Sequence, residues 1–164
     1  VAFGYTGKIL KVDLSSKEIS VERRGDAFYR RYLGGRALVA YYLLDEMPAG
    51  ADPLGPDNLL IFAPGVLTGA AVSGQGRNGV GAKSPLTGGL GSAEAGGFWG
   101  SELKRAGFDA IVIRGRSPSP VYLWVKDGKA ELRDAGHLWG LDIGPCEDAL
   151  RQELGDKGIR TALI

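Results

Sequence analysis

One cysteine, one histidine and one methionine in 164 residues set the first limits on this chain. Cys146 has no partner for an intrachain disulfide, which suits a reducing compartment and points to the cytoplasm. Together with His137 it is short of the roughly four ligands that a self-contained zinc or iron–sulfur site needs. No apolar run approaches the roughly 18 residues of a membrane span, and the opening VAFGYTGKI lacks the charged-then-apolar order of a secretion signal. An excess of one charge is missing too. Lys+Arg of 20 against Asp+Glu of 19 leaves a net +1, so no global field attracts nucleic acid or a membrane surface. Any positive potential must be local.

Glycine is what the chain has in excess. Its 27 glycines are more than double the usual share of about 7%. Hydrophobic content of 44% and charged content of 24% are those of an ordinary globular protein, long enough for one domain with a sizeable core. The glycines concentrate between Gly74 and Gly100, GQGRNGVGAKSPLTGGLGSAEAGGFWG, where the charged residues are Arg77, Lys83 and Glu94. Without a Cβ the backbone reaches positive φ and approaches a bound group closely. Amides freed in that way form concave nests for anions, and an arginine beside them adds a bidentate fork to phosphate. Strand-like apolar sequence flanks the segment on both sides, so it reads as a ligand platform; a purely structural set of glycine-rich hairpin turns is the rival reading. Gly74, Gly76 and Gly79 spell G-x-G-x-x-G, but Pro85 and the following glycines leave no room for the helix that the dinucleotide fingerprint requires.

Local patterns give the remaining elements. Lys8–Val12 and Ile19–Glu22 alternate apolar and polar around a polar turn and predict a hairpin. Asp26 is expected to cap a helix whose apolar positions are Phe28, Tyr32, Leu33 and, past the Gly34-Gly35 break, Leu38, Tyr41, Tyr42 and Leu44; Met47-Pro48 ends it. A proline-rich crossing leads to Leu59–Ala63, an apolar run expected to be a strand buried on both faces. After the platform come a short helix from near Gly97 to Ala106, a strand at Ala110–Arg114, and a hairpin from Pro120 to Arg133 with Asp127-Gly128 at its turn. A helix over Gly144–Leu154 and an apolar strand from Ile159 to Ile164 finish the chain. Both halves run hairpin, helix, break, strand. The expected class is α+β, with two β-sheets built from an internal duplication of these units. The second strand stops where a second platform would begin, which predicts a fragment of a longer protein.

GYTGKILKVDLSS, YLGGRAL, DPLGPDNLLIFAPGVLTG, GRNGVGAKSPLTGG, AGGFWGSELKRAGFDAIVIRG and PVYLWVKDGKAELRDAGHLWG, in that order, resemble the N-terminal domain of the aldehyde ferredoxin oxidoreductase family. The resemblance runs from about Gly4 to Ile164 and makes residues 1–164 a pterin-cofactor-binding domain. It implies a tungsten or molybdenum bis-pterin enzyme that oxidises small aldehydes to acids. Electrons leave through a 4Fe–4S cluster, whose ligands lie outside this chain, to ferredoxin. Implied partners are the rest of the parent enzyme, ferredoxin and a second copy in a homodimer, with neither nucleic acid nor membrane. No catalytic residue is expected in this chain.

Carried onto this sequence, the resemblance places the cofactor against Gly74, Gly76, Arg77, Asn78, Lys83, Ala93, Glu94, Ala95, Gly96 and Gly97. Arg77 matches the family arginine that contacts the pterin. Lys83 either balances phosphate charge or is a solvated loop lysine, and Arg36 either faces the cofactor or supports the helix break. Glu94 stands where the best-known members have an asparagine whose backbone carbonyl helps hold a magnesium between pterin phosphates. Three readings stay open for it: a backbone ligand as in those members, a side-chain ligand, or an exposed loop glutamate. Cys146 and His137 are expected to pack or hydrogen-bond rather than react. The rival functions are a different reductase of the same family, a stand-alone phosphate or nucleotide module, and a structural or dimerisation protein.

Overall fold

The computed structural model describes residues 4–163; Val1–Phe3 of the signal reading and Ile164 of the terminal strand lie outside the described residues. The elements are β1 (Lys8–Asp13), β2 (Glu18–Arg23), α1 (Asp26–Tyr32), α2 (Gly35–Glu46), β3 (Leu60–Pro64), β4 (Asn78–Lys83), β5 (Leu90–Ala95), α3 (Trp99–Arg105), β6 (Ala110–Arg114), β7 (Val121–Lys126), β8 (Lys129–Asp134) and α4 (Ile143–Leu154). They form two sheets in an α+β arrangement. A six-stranded sheet runs β2-β1-β6-β3-β4-β5, and β7-β8 make a separate ribbon. Every neighbouring pair is antiparallel except β1 with β6, which are parallel in the register Ile9↔Ala110 to Asp13↔Arg114.

Period-2 alternation sorts the strand residues into two cores. Ile9, Ile61, Ala63, Ala110 and Val112 face α2, where Leu38, Val39, Tyr42 and Leu43 are buried against them. Leu10, Val12, Phe62, Ile111 and Ile113 face the opposite way, onto Leu103 of α3, Phe108, and Leu123, Val125, Ala130 and Leu132 of the ribbon. The ribbon's other face, through Tyr122 and Trp124, covers Cys146 and Leu150 of α4. The layers are therefore helices, six-stranded sheet, ribbon with α3, and α4. The ribbon turn places Asp127 at φ 49° and Gly128 at φ 77°, the paired positive values that a two-residue hairpin loop requires.

Parallel pairing of strands a hundred residues apart is held by one carboxylate. Asp109, 4% exposed, accepts hydrogen bonds from the amides of Thr6 (2.8 Å), Gly7 (2.8 Å) and Lys8 (3.2 Å). It also accepts from the hydroxyls of Thr6 (3.0 Å) and Tyr29 (2.8 Å). Burial and this carboxylate raise the pKa of Tyr29 well above the usual phenol range. On α3, Lys104 gives its ammonium to the carbonyls of Gly4 (2.7 Å), Gly65 (3.1 Å) and Val66 (2.9 Å), and burial pushes its pKa down.

Five expectations need correction. Much of the presumed platform is regular: 78–83 and 90–95 are strands, because their backbone groups find partners in β3 and in each other. Asp26 lies in the first turn of α1, and the N-cap is Gly25. The platform helix starts at Trp99, two residues later than expected from Gly97. Residues 159–163 form no strand; Ile159 is buried by its side chain against α4 without sheet pairing. Leu33 and Leu44, placed on the apolar face by spacing, are 59% and 87% exposed.

Asp109→Asn turns acceptor capacity into an NH2 facing buried donors and should destabilise the domain by about 3 kcal/mol, read as a lower denaturation midpoint at unchanged slope. Gly81 is the second sensitive point. A Cβ there would press on Val39 and lie 2.9 Å from the Gly91 carbonyl, so Gly81→Ala should cost about 1–3 kcal/mol. Gly144, in the first turn of α4 with open space around its Cα, is the control, and Gly144→Ala should be neutral or stabilise by up to about 1 kcal/mol.

Candidate functional site

The glycine-rich segment makes one end of the six-stranded sheet. A loop runs from Gly65 to Arg77, then β4 and its edge partner β5, then Gly96 and Gly97 lead into α3. The loop is braced by its own side chains. Thr68, 6% exposed, accepts a hydrogen bond from the Gly65 amide (2.9 Å) and donates one to the Arg77 carbonyl (2.7 Å). Gln75 accepts from the Gly69 amide at 2.6 Å. The Thr68 contact fixes the backbone of Arg77 and leaves its guanidinium exposed.

Glycine is required here for close approach. A Cβ on Gly76 would lie 2.9 Å from the Gly97 carbonyl, so the loop and the β5–α3 connection touch through bare backbone. Gly74 and Gly97 take φ of +79° and +91°, values that L side chains resist. At Gly100 a Cβ would sit 2.9 Å from Asn78 Cβ, which binds the start of α3 to the start of β4. Asn78 is buried there, and its Oδ1 has no hydrogen-bond partner among the described residues.

The expected residues divide into a group and an outlier. Register pairs Asn78 with Ala95, Gly79 with Glu94 and Val80 with Ala93, which brings Ala93, Glu94 and Ala95 beside Gly76, Arg77 and Asn78; Gly96 and Gly97 adjoin them. Gly74 lies on the exposed loop three residues before Arg77. Lys83 ends β4, about 20 Å along the strand from Arg77 at the usual rise per residue. Its ammonium donates to the Ala51 carbonyl at 2.5 Å and its amide to Asn58 Oδ1 at 3.0 Å.

Sequence reasoning left Arg36 undecided, and the structure brings it into the group. The Gly34-Gly35 break lets the start of α2 lie close to the end of β3: Gly34 bridges Gly65, and a Cβ on Gly34 would lie 2.9 Å from Gly65 Cα. Arg36 Nε then stands 3.2 Å from Glu94 Oε1, while Arg77 Nη1 stands 3.7 Å from Glu94 Oε2. Two guanidinia and one carboxylate form a local net +1 on a protein of balanced charge. Thr68 was missed altogether, since its role depends on a fold-back that no local pattern announces.

The other candidates are structural. His137 pairs with Glu153 across 2.9 Å, and a hydrogen bond from Tyr122 together with His137 holds that carboxyl below the usual range. Cys146 is buried in the small core under the ribbon. No cluster of three or more His, Cys, Asp or Glu side chains suited to a metal ion occurs among the described residues, nor does any helix long and apolar enough to cross a membrane.

Comparison with known proteins identifies the family. The family model for the aldehyde ferredoxin oxidoreductase N-terminal domain matches residues 9–164. The chain is 46% identical over 162 residues to the tungsten-containing aldehyde ferredoxin oxidoreductase of Thermococcus kodakarensis, covering 99% of this chain and 27% of that protein. It is 37% identical over 142 residues to an aliphatic sulfonate oxidoreductase, WOR-like subunit, of Pyrococcus furiosus, covering 85% and 22%. Among solved structures it is similar to the active site complex BamBC of benzoyl coenzyme A reductase in complex with 1,5-dienoyl-CoA, with a TM-score of 0.93, 38% identity, and coverage of 96% of this chain and 24% of that one. The chain thus spans about a quarter of the length of the tungsten-containing aldehyde ferredoxin oxidoreductases it matches. By sequence and by fold it belongs to the aldehyde ferredoxin oxidoreductase family, as an N-terminal domain.

Proposed function

We propose that this domain forms one wall of a tungsten or molybdenum bis-pterin site in a larger, cytoplasmic aldehyde:ferredoxin oxidoreductase. The observation that carries the reading is a side-chain-free surface beside two exposed guanidinia. Gly76 meets Gly97 through bare backbone, and Arg77 and Arg36 project next to that contact. A flat, phosphate-bearing heterocycle fits such a surface. Glycine allows backbone amides and carbonyls to approach the ring edges, and the planar guanidinium fork suits phosphate or ring acceptors better than an ammonium would.

When bound, the metal–pterin cofactor supplies the oxygen-transfer and electron chemistry of aldehyde oxidation. This chain's residues bind and orient. Arg77, its backbone fixed by Thr68, holds the pterin or its phosphate, and Asn78 to Gly97 form the supporting surface. A magnesium ion, were one to accompany the cofactor, would find the backbone carbonyl of Glu94 as a ligand and would offset phosphate charge. Without phosphate, Arg36 and Arg77 already engage the Glu94 carboxylate. The 4Fe–4S cluster, the acid–base residues, the aldehyde pocket and the ferredoxin and dimer contacts belong to the remaining three-quarters of the parent protein.

The likeness to a benzoyl coenzyme A reductase complex supports a second substrate reading, reduction of an aromatic thioester. Higher identity to the aldehyde enzymes favours the first. A stand-alone phosphate or nucleotide module is not favoured, because nearly the whole chain aligns within much longer relatives.

In the full-length enzyme, Arg77→Ala should lower tungsten and pterin content or aldehyde-driven ferredoxin reduction by about 10–100-fold, the scale of a lost supporting contact at a metal site. Elemental analysis and single-turnover reduction measure the two separately. Unchanged metal content together with unchanged turnover removes Arg77 from the site.

A further inference from the structure

Glu94 is the only carboxylate between Gly74 and Gly100, and it is already engaged. Each of its oxygens faces a different cation, Arg36 from α2 and Arg77 from the loop before β4. Arg36 and Arg77 remain 61% and 71% exposed, so a solute can reach both guanidinia without unfolding anything. Exposed ion pairs of this kind are weak and exchange partners readily. A phosphate brings three acceptor oxygens and close to two negative charges, and it takes up arginine forks better than a single carboxylate does. Glu94 lies on the edge strand β5 opposite Gly79, and the residues two away on either side are Ser92 and Gly96, so no bulky strand neighbour blocks its departure.

We propose that Glu94 is a displaceable internal ligand. In the ligand-free protein its carboxylate occupies the seat between Arg36 and Arg77, and a phosphate or diphosphate group takes that seat by expelling it. The natural occupant, a phosphate of the cofactor, rests on the function proposed above; the chemistry of the seat does not. The carboxylate keeps the two like charges compensated until the ligand arrives. It also selects for ligands of higher charge, since a monoanion gains little over the residue already present. Arg36 thereby becomes a binding residue rather than a support of the helix break.

The test is calorimetric titration of inorganic pyrophosphate into the cofactor-free full-length protein, in the wild type and in Glu94→Gln, Glu94→Ala and Glu94→Gln/Arg36→Met variants. Both single variants should bind about tenfold tighter than the wild type, the scale set by releasing two exposed ion pairs. The added Arg36→Met change should abolish that gain. Equal or weaker binding by the single variants, or no measurable binding by any protein, overturns the displacement. A gain that survives Arg36→Met overturns the seat. Tighter pyrophosphate binding with unchanged cofactor content in Arg77→Ala would leave the seat standing and remove the pterin as its occupant.

Discussion

The Asp109 carboxylate is the constraint on which the rest of the domain depends. Strands β1 and β6 are parallel neighbours inside the sheet, yet about a hundred residues separate them. Closing so long a loop has an entropic cost, and parallel pairing by itself gives little to offset it. Asp109 adds charge-assisted bonds from three consecutive amides, Thr6 to Lys8, at the point where the pairing begins. Through Tyr29, whose ring stacks on Tyr5 at 4.1 Å, the same carboxylate fixes α1. Lys104 repeats the arrangement with opposite charge: one ammonium gathers the carbonyls of Gly4, Gly65 and Val66 and so ties α3 to the loop that carries the site. The buried carboxylate and the half-buried ammonium are satisfied by backbone dipoles and hydroxyls rather than by a single counter-ion, so neither is a bare charge.

The two ends of the sheet are treated differently. Strand β2 carries Glu18, Glu22 and Arg23, charges of the kind that discourage further pairing at an edge. Strand β5 is LGSAEA, small and exposed, and its one charged side chain turns onto the sheet face toward Arg36 and Arg77. Side chains were removed from the end that holds the candidate site and retained at the end that does not. Glycine in a strand interior ordinarily weakens it. Here Gly79 and Gly81 are compensated by the contact they allow, since α2 packs directly on β4.

Local elements were legible because their causes are local. The alternation in Lys8–Val12, the Asp127-Gly128 turn, and the glycine that closes α4 at φ 63° each act within a few residues. Strands β4 and β5 were not legible. NGVGAK and LGSAEA have little β propensity, and they are extended because β3 offers a partner. The sheet order was equally hidden, as was the absence of pairing at 159–163, where a short apolar run packs a core without a ladder. At the site, Arg77 and Glu94 were found through glycine-rich context and family likeness. That Arg36 meets Glu94, and that Lys83 is tied to the Ala51 carbonyl instead, follows from contacts 58 and 32 residues apart in sequence.

Arg36, Glu94 and Arg77 also connect the two kinds of order in the molecule. Arg36 is positioned by α2, whose burial against Ile61 and Ala63 is part of the main core. Arg77 is positioned by Thr68, whose loop is tied to α3 by Lys104. The two guanidinia therefore belong to opposite faces of the same sheet in their support, and they meet only at its glycine-rich end. Glu94, bound to both, spans the separation that a two-pronged anionic ligand must match, so the geometry of the site is set by the packing of the whole sheet rather than by the loop alone.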